Sequence, residues 1–326
     1  MSLGYDKPLY LLAFDHRDSF EHDLFGSSAP VPDDVREGII KVKEIIFDAH
    51  VAAVADGAPS GACGVLVDEE FGTGVARAAK AAGAPLAMPV EKSGQQEFEF
   101  QYGDDFPAHI EAFDPLFAKV LVRYNPDGDP DLNRRQTERL ARLSHWLRDH
   151  DRNFLFELLV PATKIQLDRF GGDQREYDRK LRPSLVVATI AALQAGGVEP
   201  DIWKIEGLDS RDACEEVVTQ ARTEGRDGVT CIVLGRGADE PQVIEWVKIG
   251  ASVDGFDGFA VGRTLWEQAL RDFLAKKISR EETVVRISRR YRDVIDAYQG
   301  AEANGGATRR ARRRSSSCSP TSTAHW

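Results

Sequence analysis

The chain has 326 residues, 42% hydrophobic and 29% charged, so it can bury a sizeable core and wholesale disorder is excluded. Its formal net charge of -11 argues against a nucleic-acid partner, because the overall field would repel a phosphate backbone. The N-terminal apolar run is too short for a signal peptide, no stretch is long enough for a transmembrane helix, and the four cysteines have no CxxC spacing. We therefore expect a cytoplasmic protein with reduced thiols and no membrane partner.

Eight short runs of strand-forming residues follow one another along the chain. Several are almost continuously apolar, which is typical of parallel strands covered by helices. The runs lie at residues 9–14, 63–67, 85–90, 119–124, 153–160, 201–206, 230–235 and 258–262.

Most segments between these runs carry apolar residues at helical spacing, and Asp33 and Asp34 are candidate N-caps for the first helix. Residues 91–117 are predicted to be a long irregular loop of the kind that serves as a lid. The strict alternation favours an α/β protein with a single (β/α)₈ TIM barrel over a doubly wound sheet. The predicted helices cover residues 33–55, 132–150, 179–197, 210–225, 239–251, 263–277 and 280–298, the last being an extra C-terminal helix.

Two regions of different composition divide the chain. Residues 1–301 contain all the predicted strands and helices and form the expected barrel domain. Residues 302–326 have no hydrophobic periodicity and carry five arginines, so we expect a disordered basic tail.

Polar residues recur where the predicted strands should be apolar or have just ended. In a barrel of this type the chemistry lies at the C-terminal ends of the strands, so these positions are the candidate site. In chain order they are Asp15, His16 and Arg17; Asp68, Glu69 and Glu70; Glu91 and Lys92; Lys119; Glu157; Lys204 and Glu206; Gly235, Arg236 and Gly237; and Gly262 and Arg263.

Strand alternation places Lys204 inside the barrel, because Trp203 and Ile205 suit the interface with the outer helices. For the neutral amine to attack a carbonyl, the pKa of Lys204 would have to fall from about 10.4 toward about 7–8. Burial and a neighbouring cation can both lower it, and Lys119 is a candidate for that cation. Two plainer interpretations stay open: Lys204 could lie at the sheet rim, and Glu157 could form a structural ion pair with either lysine.

Glycine and arginine follow both of the last two strands. Loops at these positions commonly bind phosphate, since glycine lets the backbone approach and arginine can grip the anion. We predict a phosphate site from Gly235, Arg236, Gly237, Gly262 and Arg263, although an arginine after a strand is often simply solvated.

Seven segments together resemble the class I aldolase family: LYLLAFDHRDSF, LVDEEFG, KVLVRYNPDGD, FELLVPAT, WKIEG, VLGRGAD and FAVGRTLW. The resemblance spans roughly residues 8–300 and is greatest to the 2-deoxy-5-keto-gluconate 6-phosphate aldolase-like domain of inositol breakdown. Tagatose-bisphosphate and sulfofructose-phosphate aldolases are similar but more distant.

The resemblance implies roles for individual residues. Lys204 would form the iminium with the substrate ketone, Glu157 would shuttle the proton at the cleaved bond, and Lys119 would activate Lys204. The products would be dihydroxyacetone phosphate and malonate semialdehyde. Asp15 and Asp68 would bind substrate hydroxyls or orient lysines, and the acidic fragment would contact His16, Arg17 and Lys92. The expected partner is a small sugar phosphate, with no cofactor, no metal and a homo-oligomeric assembly.

Three rival functions stay open at this level. Asp68, Glu69, Glu70 and His16 offer ligands for a metal-dependent lyase, although no paired-histidine motif is present. A non-catalytic sugar-phosphate-binding barrel would use the same phosphate loops. An isomerase would use Glu157 as its base and Lys204 only as an electrostatic partner.

Overall fold

The computed structural model describes residues 3–27 and 30–316. Eight parallel strands close into a barrel, with each strand bonded to the next and the eighth bonded to the first. The strands are β1 (Leu9–Ala13), β2 (Cys63–Leu66), β3 (Leu86–Pro89), β4 (Phe117–Arg123), β5 (Asn153–Leu159), β6 (Ile202–Glu206), β7 (Thr230–Leu234) and β8 (Phe256–Val261). The predicted (β/α)₈ TIM barrel is confirmed, and each predicted run overlaps one strand.

Eleven α-helices among the described residues surround the sheet and cover its outer face. None of these helices combines the length and the apolarity that a bilayer crossing requires. They are α1 (Asp33–Ala55), α2 (Glu69–Ala81), α3 (Phe106–Phe113), α4 (Pro130–Asp149), α5 (Lys164–Asp168), α6 (Gln174–Lys180), α7 (Arg182–Ala195), α8 (Arg211–Ala221), α9 (Glu240–Ala251), α10 (Arg263–Leu274) and α11 (Arg280–Ser316).

Successive residues of each strand point alternately outward and inward, and each set forms its own apolar layer. The outward set packs against the helices and includes Trp203 and Ile205, as the alternation predicts. The inward set fills the lower barrel with apolar side chains, so the interior is a packed core. Lys119, Glu157 and Lys204 each follow a residue of this inward set by two positions, so they lie beyond it toward the C-terminal ends of the strands. The inward set comprises Leu9, Leu11, Ala13, Leu66, Ala87, Phe117, Leu155, Ile202, Ile232 and Ala260.

Two predicted helix features differ from the structure. The residue that caps α1 is Pro32, without a side-chain bond, and Asp33 and Asp34 lie in the first turn, where their charge favours the helix dipole. The predicted irregular loop 91–117 contains α3, whose buried Phe106, Ile110 and Phe113 follow helical spacing. The irregular part of this connection is therefore shorter than predicted and precedes α3.

The C-terminal helix is tied to the barrel by two tyrosine hydroxyls. Tyr291 donates to the Tyr10 carbonyl and Tyr298 donates to the Phe256 carbonyl, both at 2.6 Å. α11 then continues to Ser316, beyond the domain boundary predicted at residue 301. The rest of the predicted tail, residues 317–326, lies outside the described residues.

Candidate active site

A cavity of about 360 Å³ opens at the C-terminal ends of the strands. Its walls come from the loop after β1, the connection after β3, the inner faces of β4, β5 and β6, and the loops after β7 and β8. The predicted site residues on its walls are Asp15, His16, Arg17, Lys92, Lys119, Glu157, Lys204, Gly235, Arg236, Gly237, Gly262 and Arg263. Asp68 does not line it.

Two lysines and three carboxylates form one connected cluster at the base of this cavity. Glu157 Oε2 lies 2.9 Å from Lys204 Nζ and 3.0 Å from Lys119 Nζ, so it bridges the two ammonium groups. Lys119 Nζ also donates to Asp15 Oδ2 and to Glu91 Oε1, each at 2.7 Å. Lys119 therefore contacts three carboxylates, whereas Lys204 contacts one.

The strand register explains why these side chains meet. Lys119 and Glu157 lie on the inward positions of β4 and β5, where Phe117 and Leu155 point into the barrel core. Glu157 is paired directly with Lys204 across β5 and β6. Cross-strand neighbours of this kind are close enough to interact, so the inner wall places the carboxylate and the amine side by side.

The cluster shifts the proton affinities of its members. Burial alone would raise the pKa of Glu157, but Lys119 and then Lys204 outweigh it and hold that pKa below its usual range. Burial would also raise the pKa of Asp15, but the charge of Lys119 outweighs burial and holds that pKa below its usual range. Burial disfavours charge on Lys119, yet Asp15, Glu157 and Glu91 raise its pKa well above the usual value. Lys119 is thus a permanent cation that its three carboxylate neighbours stabilise.

Lys119 does not contact Lys204 directly, because the Glu157 carboxylate lies between them. Its positive charge is also balanced by Asp15 and Glu91. The expected activation of Lys204 by Lys119 stays a prediction, and the direct partner that could accept a proton from Lys204 is Glu157.

The two arginines of the predicted phosphate site differ in their pairing. Arg236 Nη1 lies 2.6 Å from Asp178 Oδ2 and its Nε lies 3.0 Å from Glu206 Oε1, so its charge is already balanced. The Arg263 guanidinium forms no hydrogen bond or ion pair within residues 3–27 and 30–316. Arg263 is therefore the guanidinium available to an anion.

The absence of a side chain at Gly237 and Gly262 leaves room for Arg263 and for the backbone of β1. A Cβ on Gly237, whose φ is +68°, would lie 2.7 Å from Arg263 Nη2. A Cβ on Gly262 would lie 2.2 Å from the Ala13 carbonyl oxygen. Gly262 also directly precedes α10, so the first backbone N–H groups of that helix lie at the cavity, where they favour an anion.

The loop after β1 contributes neutral and charged groups. Burial lowers the pKa of His16 to about 4, and Arg263 adds to the effect, so the imidazole is neutral at pH 7. Arg17 Nη2 donates to the Glu91 carbonyl at 2.8 Å. Lys92 is exposed at the cavity edge. Of the three residues expected to contact an acidic fragment, only Arg17 is a buried cation.

Asp68 was predicted to bind substrate hydroxyls or to orient lysines, and it pairs with a lysine outside the cavity. It is fully buried, accepts from the Phe71 N–H as the N-cap of α2, and forms an ion pair with Lys43 of α1. Lys43 also donates to the carbonyls of Phe14 and His16. Asp68 thus balances a buried cation that holds the β1 loop.

Asp68→Asn is expected to lower the free energy of unfolding by about 3 kcal/mol, because it leaves Lys43 buried without a counter-charge. The cap to Phe71 survives in asparagine, so the loss reports the ion pair. Urea unfolding measures it. An unchanged midpoint together with a raised KM would instead restore the substrate-binding role.

The residues proposed as metal ligands do not converge. Asp68 pairs with Lys43, Glu69 accepts from His109 Nδ1 at 2.9 Å, and Glu70 binds Arg36 at 3.2 Å. No group of three or more His, Cys, Asp or Glu in the described part of the chain is placed to hold a metal ion.

Glu91 and Arg123 also line the cavity. The sequence placed Glu91 at a strand end without a role, and it did not indicate Arg123. Alternation could have found Arg123, which follows Lys119 by four residues on β4. Glu91 is the more informative of the two, since it binds Lys119 directly.

Comparison with known proteins gives a family and a fold. The family model described as "Uncharacterized protein conserved in bacteria (DUF2090)" matches residues 5–302. No curated protein matches the chain.

Two solved structures share the barrel. A Schiff-base-forming fructose-1,6-bisphosphate aldolase is 17% identical with a TM-score of 0.52, over 83% of this chain and 94% of that one. An archaeal fructose 1,6-bisphosphate aldolase is 16% identical with a TM-score of 0.54, over 90% and 94%. Likeness at this identity shows a common fold.

Proposed function

Since the chain belongs to the DUF2090 family of uncharacterized bacterial proteins, whose description states no activity, we propose a function from the cavity itself. The protein is a class I aldolase that cleaves or forms a carbon–carbon bond in a phosphorylated keto sugar or keto sugar acid through a Schiff base on Lys204. The assignment of function rests on the site, because the barrel alone hosts many chemistries.

The proposal rests mainly on a buried lysine at the base of the cavity that has a single carboxylate partner. Lys204 is 2% exposed, lines the cavity and is bound only by Glu157 among the described residues. A structural lysine in such a place would be expected to have its hydrogen-bonding capacity filled, as Lys119 and Lys43 do. Lys204 keeps donor capacity toward the cavity.

The proposed reaction uses the bridge between the lysines. Lys204 Nζ passes a proton to Glu157 and attacks the substrate ketone to give a carbinolamine. Glu157 returns the proton to the carbinolamine hydroxyl, which leaves as water, and a protonated imine forms. Glu157 Oε2 then takes the proton of the hydroxyl two carbons from the imine carbon. The bond between the hydroxyl-bearing carbon and the carbon next to the imine breaks, its electron pair passes to the iminium to give an enamine, and an aldehyde leaves. Protonation of the enamine and hydrolysis of the imine return free Lys204.

Lys119 and Asp15 support this reaction without taking part in bond changes. Lys119 remains charged and fixes Glu157 between the two ammonium groups. Asp15 anchors Lys119 from β1 and presents a carboxylate to substrate hydroxyls. Both roles depend on the ion pairs described above.

The finer substrate proposal follows the sequence resemblance. For 2-deoxy-5-keto-gluconate 6-phosphate the products would be dihydroxyacetone phosphate and malonate semialdehyde, with the phosphate at Arg263 and the Gly235–Gly237 loop. Bisphosphorylated ketoses and sulfofructose phosphate are the alternatives.

Arg263→Ala is expected to lower kcat/KM for a phosphorylated ketose by roughly 10- to 100-fold, because one charge-assisted contact to phosphate is lost. Arg236→Ala is the matched control and should cost less, since Arg236 already binds Asp178 and Glu206. Steady-state kinetics of the two variants measures the loss of kcat/KM in each. A larger loss for Arg236→Ala would assign the phosphate to the other arginine.

The proposed function is tested by trapping the imine. The protein is incubated with dihydroxyacetone phosphate, reduced with borohydride, and analysed by intact mass and peptide mapping. The expected result is one reduced adduct on the peptide that contains Lys204. Absence of an adduct in folded protein would overturn the proposal, and loss of lyase activity with EDTA would then support the metal-dependent alternative.

A further inference from the structure

One residue of the loop after β7 has a backbone conformation that residues other than glycine rarely adopt. Arg236 has a φ of +53° and lies between Gly235 and Gly237 in the cavity wall. A residue with a Cβ is strained in this left-handed region, and it stays there only where its surroundings hold it in place. The contacts of the Arg236 side chain therefore decide the shape of this loop.

Two carboxylates that do not line the cavity hold the Arg236 side chain. Asp178 Oδ2 of α6 lies 2.6 Å from Arg236 Nη1, and Glu206 Oε1 of β6 lies 3.0 Å from Arg236 Nε. The second oxygen of each carboxylate is also bonded. Asp178 Oδ1 accepts from Arg182 Nε at 3.2 Å, and Glu206 Oε2 accepts from the Val160 N–H at 3.0 Å. Both carboxylates are thus fixed to neighbouring elements, and they fix Arg236 in turn.

The loop held in this way meets Arg263 at Gly237. A Cβ on Gly237 would lie 2.7 Å from Arg263 Nη2, 3.0 Å from its Cζ and 3.3 Å from its Nε, so the guanidinium packs against the backbone of this glycine. Thr264 Oγ1 donates to the Ala238 carbonyl at 2.7 Å and ties the loops after β7 and β8 together. Since no hydrogen bond or ion pair holds the Arg263 side chain in the described part of the chain, its position depends on this packing.

We propose that Arg236, Asp178 and Glu206 are positioning residues for the phosphate group of the substrate. They hold the loop after β7 in its strained turn, and that loop holds the Arg263 guanidinium where it meets the anion. Arg236 acts through the loop and makes no contact with the phosphate. This inference rests on the proposed function, in which Arg263 binds the phosphate, and it identifies the residues that set the strength of that contact.

Charge alone predicts the opposite effect from positioning. Asp178→Asn removes a negative charge from the vicinity of the predicted phosphate site and leaves Arg236 with a single carboxylate partner. An anion would then bind more tightly, because a repelling charge is gone and a cation is partly released. If Asp178 positions the loop, the same substitution weakens the binding of the phosphate. The sign of the change therefore separates the two explanations.

The test measures how fast Lys204 is trapped by borohydride with dihydroxyacetone phosphate and with dihydroxyacetone, which lacks the phosphate. The ratio of the two second-order rate constants reports the phosphate contact and cancels a general loss of reactivity. Asp178→Asn is expected to lower this ratio by roughly three- to tenfold. In an Arg263→Ala background the same substitution should change the ratio by less than about twofold, because the group through which it acts is absent.

Asp272→Asn is the matched control. The Asp272 side chain is 17% exposed, against 18% for Asp178, and it pairs with Arg286 and Lys277 outside the cavity. This substitution removes an equivalent carboxylate that has no tie to the loop after β7. It should leave the ratio unchanged.

Gly237→Ala tests the other link, between the loop and Arg263. The added methyl group would lie 2.7 Å from Arg263 Nη2, so the guanidinium has to move and the ratio is expected to fall. In the Arg263→Ala background the ratio should not fall further, and a further fall would contradict the packing of Arg263 on this glycine as the route.

The outcomes distinguish this inference from the proposed function. An adduct on Lys204 with an unchanged or raised ratio in Asp178→Asn overturns the positioning role alone. A loss of equal size in the Arg263→Ala background also overturns it, because Asp178 would then act elsewhere. Failure to trap an adduct with either ketone overturns the proposed function and, with it, this inference.

Discussion

Lys204→Met is expected to abolish the borohydride-trapped adduct and to reduce kcat by roughly 10⁴-fold or more, since no other group replaces the amine that forms the imine. Methionine has nearly the length and volume of the lysine stem, so the inner wall remains filled. Glu157 keeps its ion pair with Lys119 at 3.0 Å, so the substitution leaves no unpaired buried charge. The variant should therefore fold and fail only in chemistry.

The measurement combines kinetics with intact mass after reduction. Lys164→Met is the matched control, because Lys164 is an exposed lysine at the start of α5 and does not line the cavity. It should retain both the adduct and the activity. A Lys204→Met protein that still gave a reduced adduct would assign the nucleophile to another lysine.

Strand periodicity explains why much of the site could be predicted from the sequence. In DIWKIE, Lys204 shares a face with Ile202, and this face must point into the barrel if Trp203 is to lie in the apolar layer under the helices. The same reasoning brings Lys119 and Glu157 to the inner wall. Local pattern was sufficient because each strand is short and its two faces have different surroundings.

Long-range pairing explains what could not be predicted. Asp68 occupies a strand end like the others, but its partner Lys43 lies twenty-five residues earlier on α1 and appears in the sequence as one lysine among many. Arg236 is balanced by Asp178 of α6 and Glu206 of β6. No sequence periodicity shows which cation pairs with which carboxylate. The sequence could therefore indicate charged side chains for the site, but it could not show which of them are already paired within the protein.

The connection after β3 shows a different limit. The helix α3 has eight residues, which is too short for its three apolar positions to stand out from a loop. With α3 assigned as a loop, the preceding segment appeared to be a long lid. Its first residue, Glu91, continues the inward face of β3, and the strand-end pattern included it without indicating a role.

Lys119→Met is expected to lower the free energy of unfolding by about 3–5 kcal/mol at pH 8, because it removes the cation shared by three buried carboxylates. Lys80→Met, on a half-exposed lysine paired with Asp114, is the matched control and should cost less than about 1 kcal/mol. Urea unfolding at several pH values measures both.

The pH dependence distinguishes electrostatics from packing at Lys119. In wild type the pKa values of Asp15 and Glu157 are lowered by Lys119, so their contribution is present above the unfolded pKa values of about 3.9 and 4.3 and is lost as pH falls through the folded ones. The pKa of Lys119 is raised, so its contribution is present below about pH 10.4 and is lost as pH rises through the folded value. In Lys119→Met, Asp15 and Glu91 lose the neighbouring cation, so they take up protons more readily as the pH falls. Protonation removes their unpaired charges, so the variant is less destabilised in acid. The difference in the free energy of unfolding between wild type and Lys119→Met should therefore be smaller at pH 5 than at pH 8. An equal difference at both pH values would mean that Lys119 contributes through packing and not through charge.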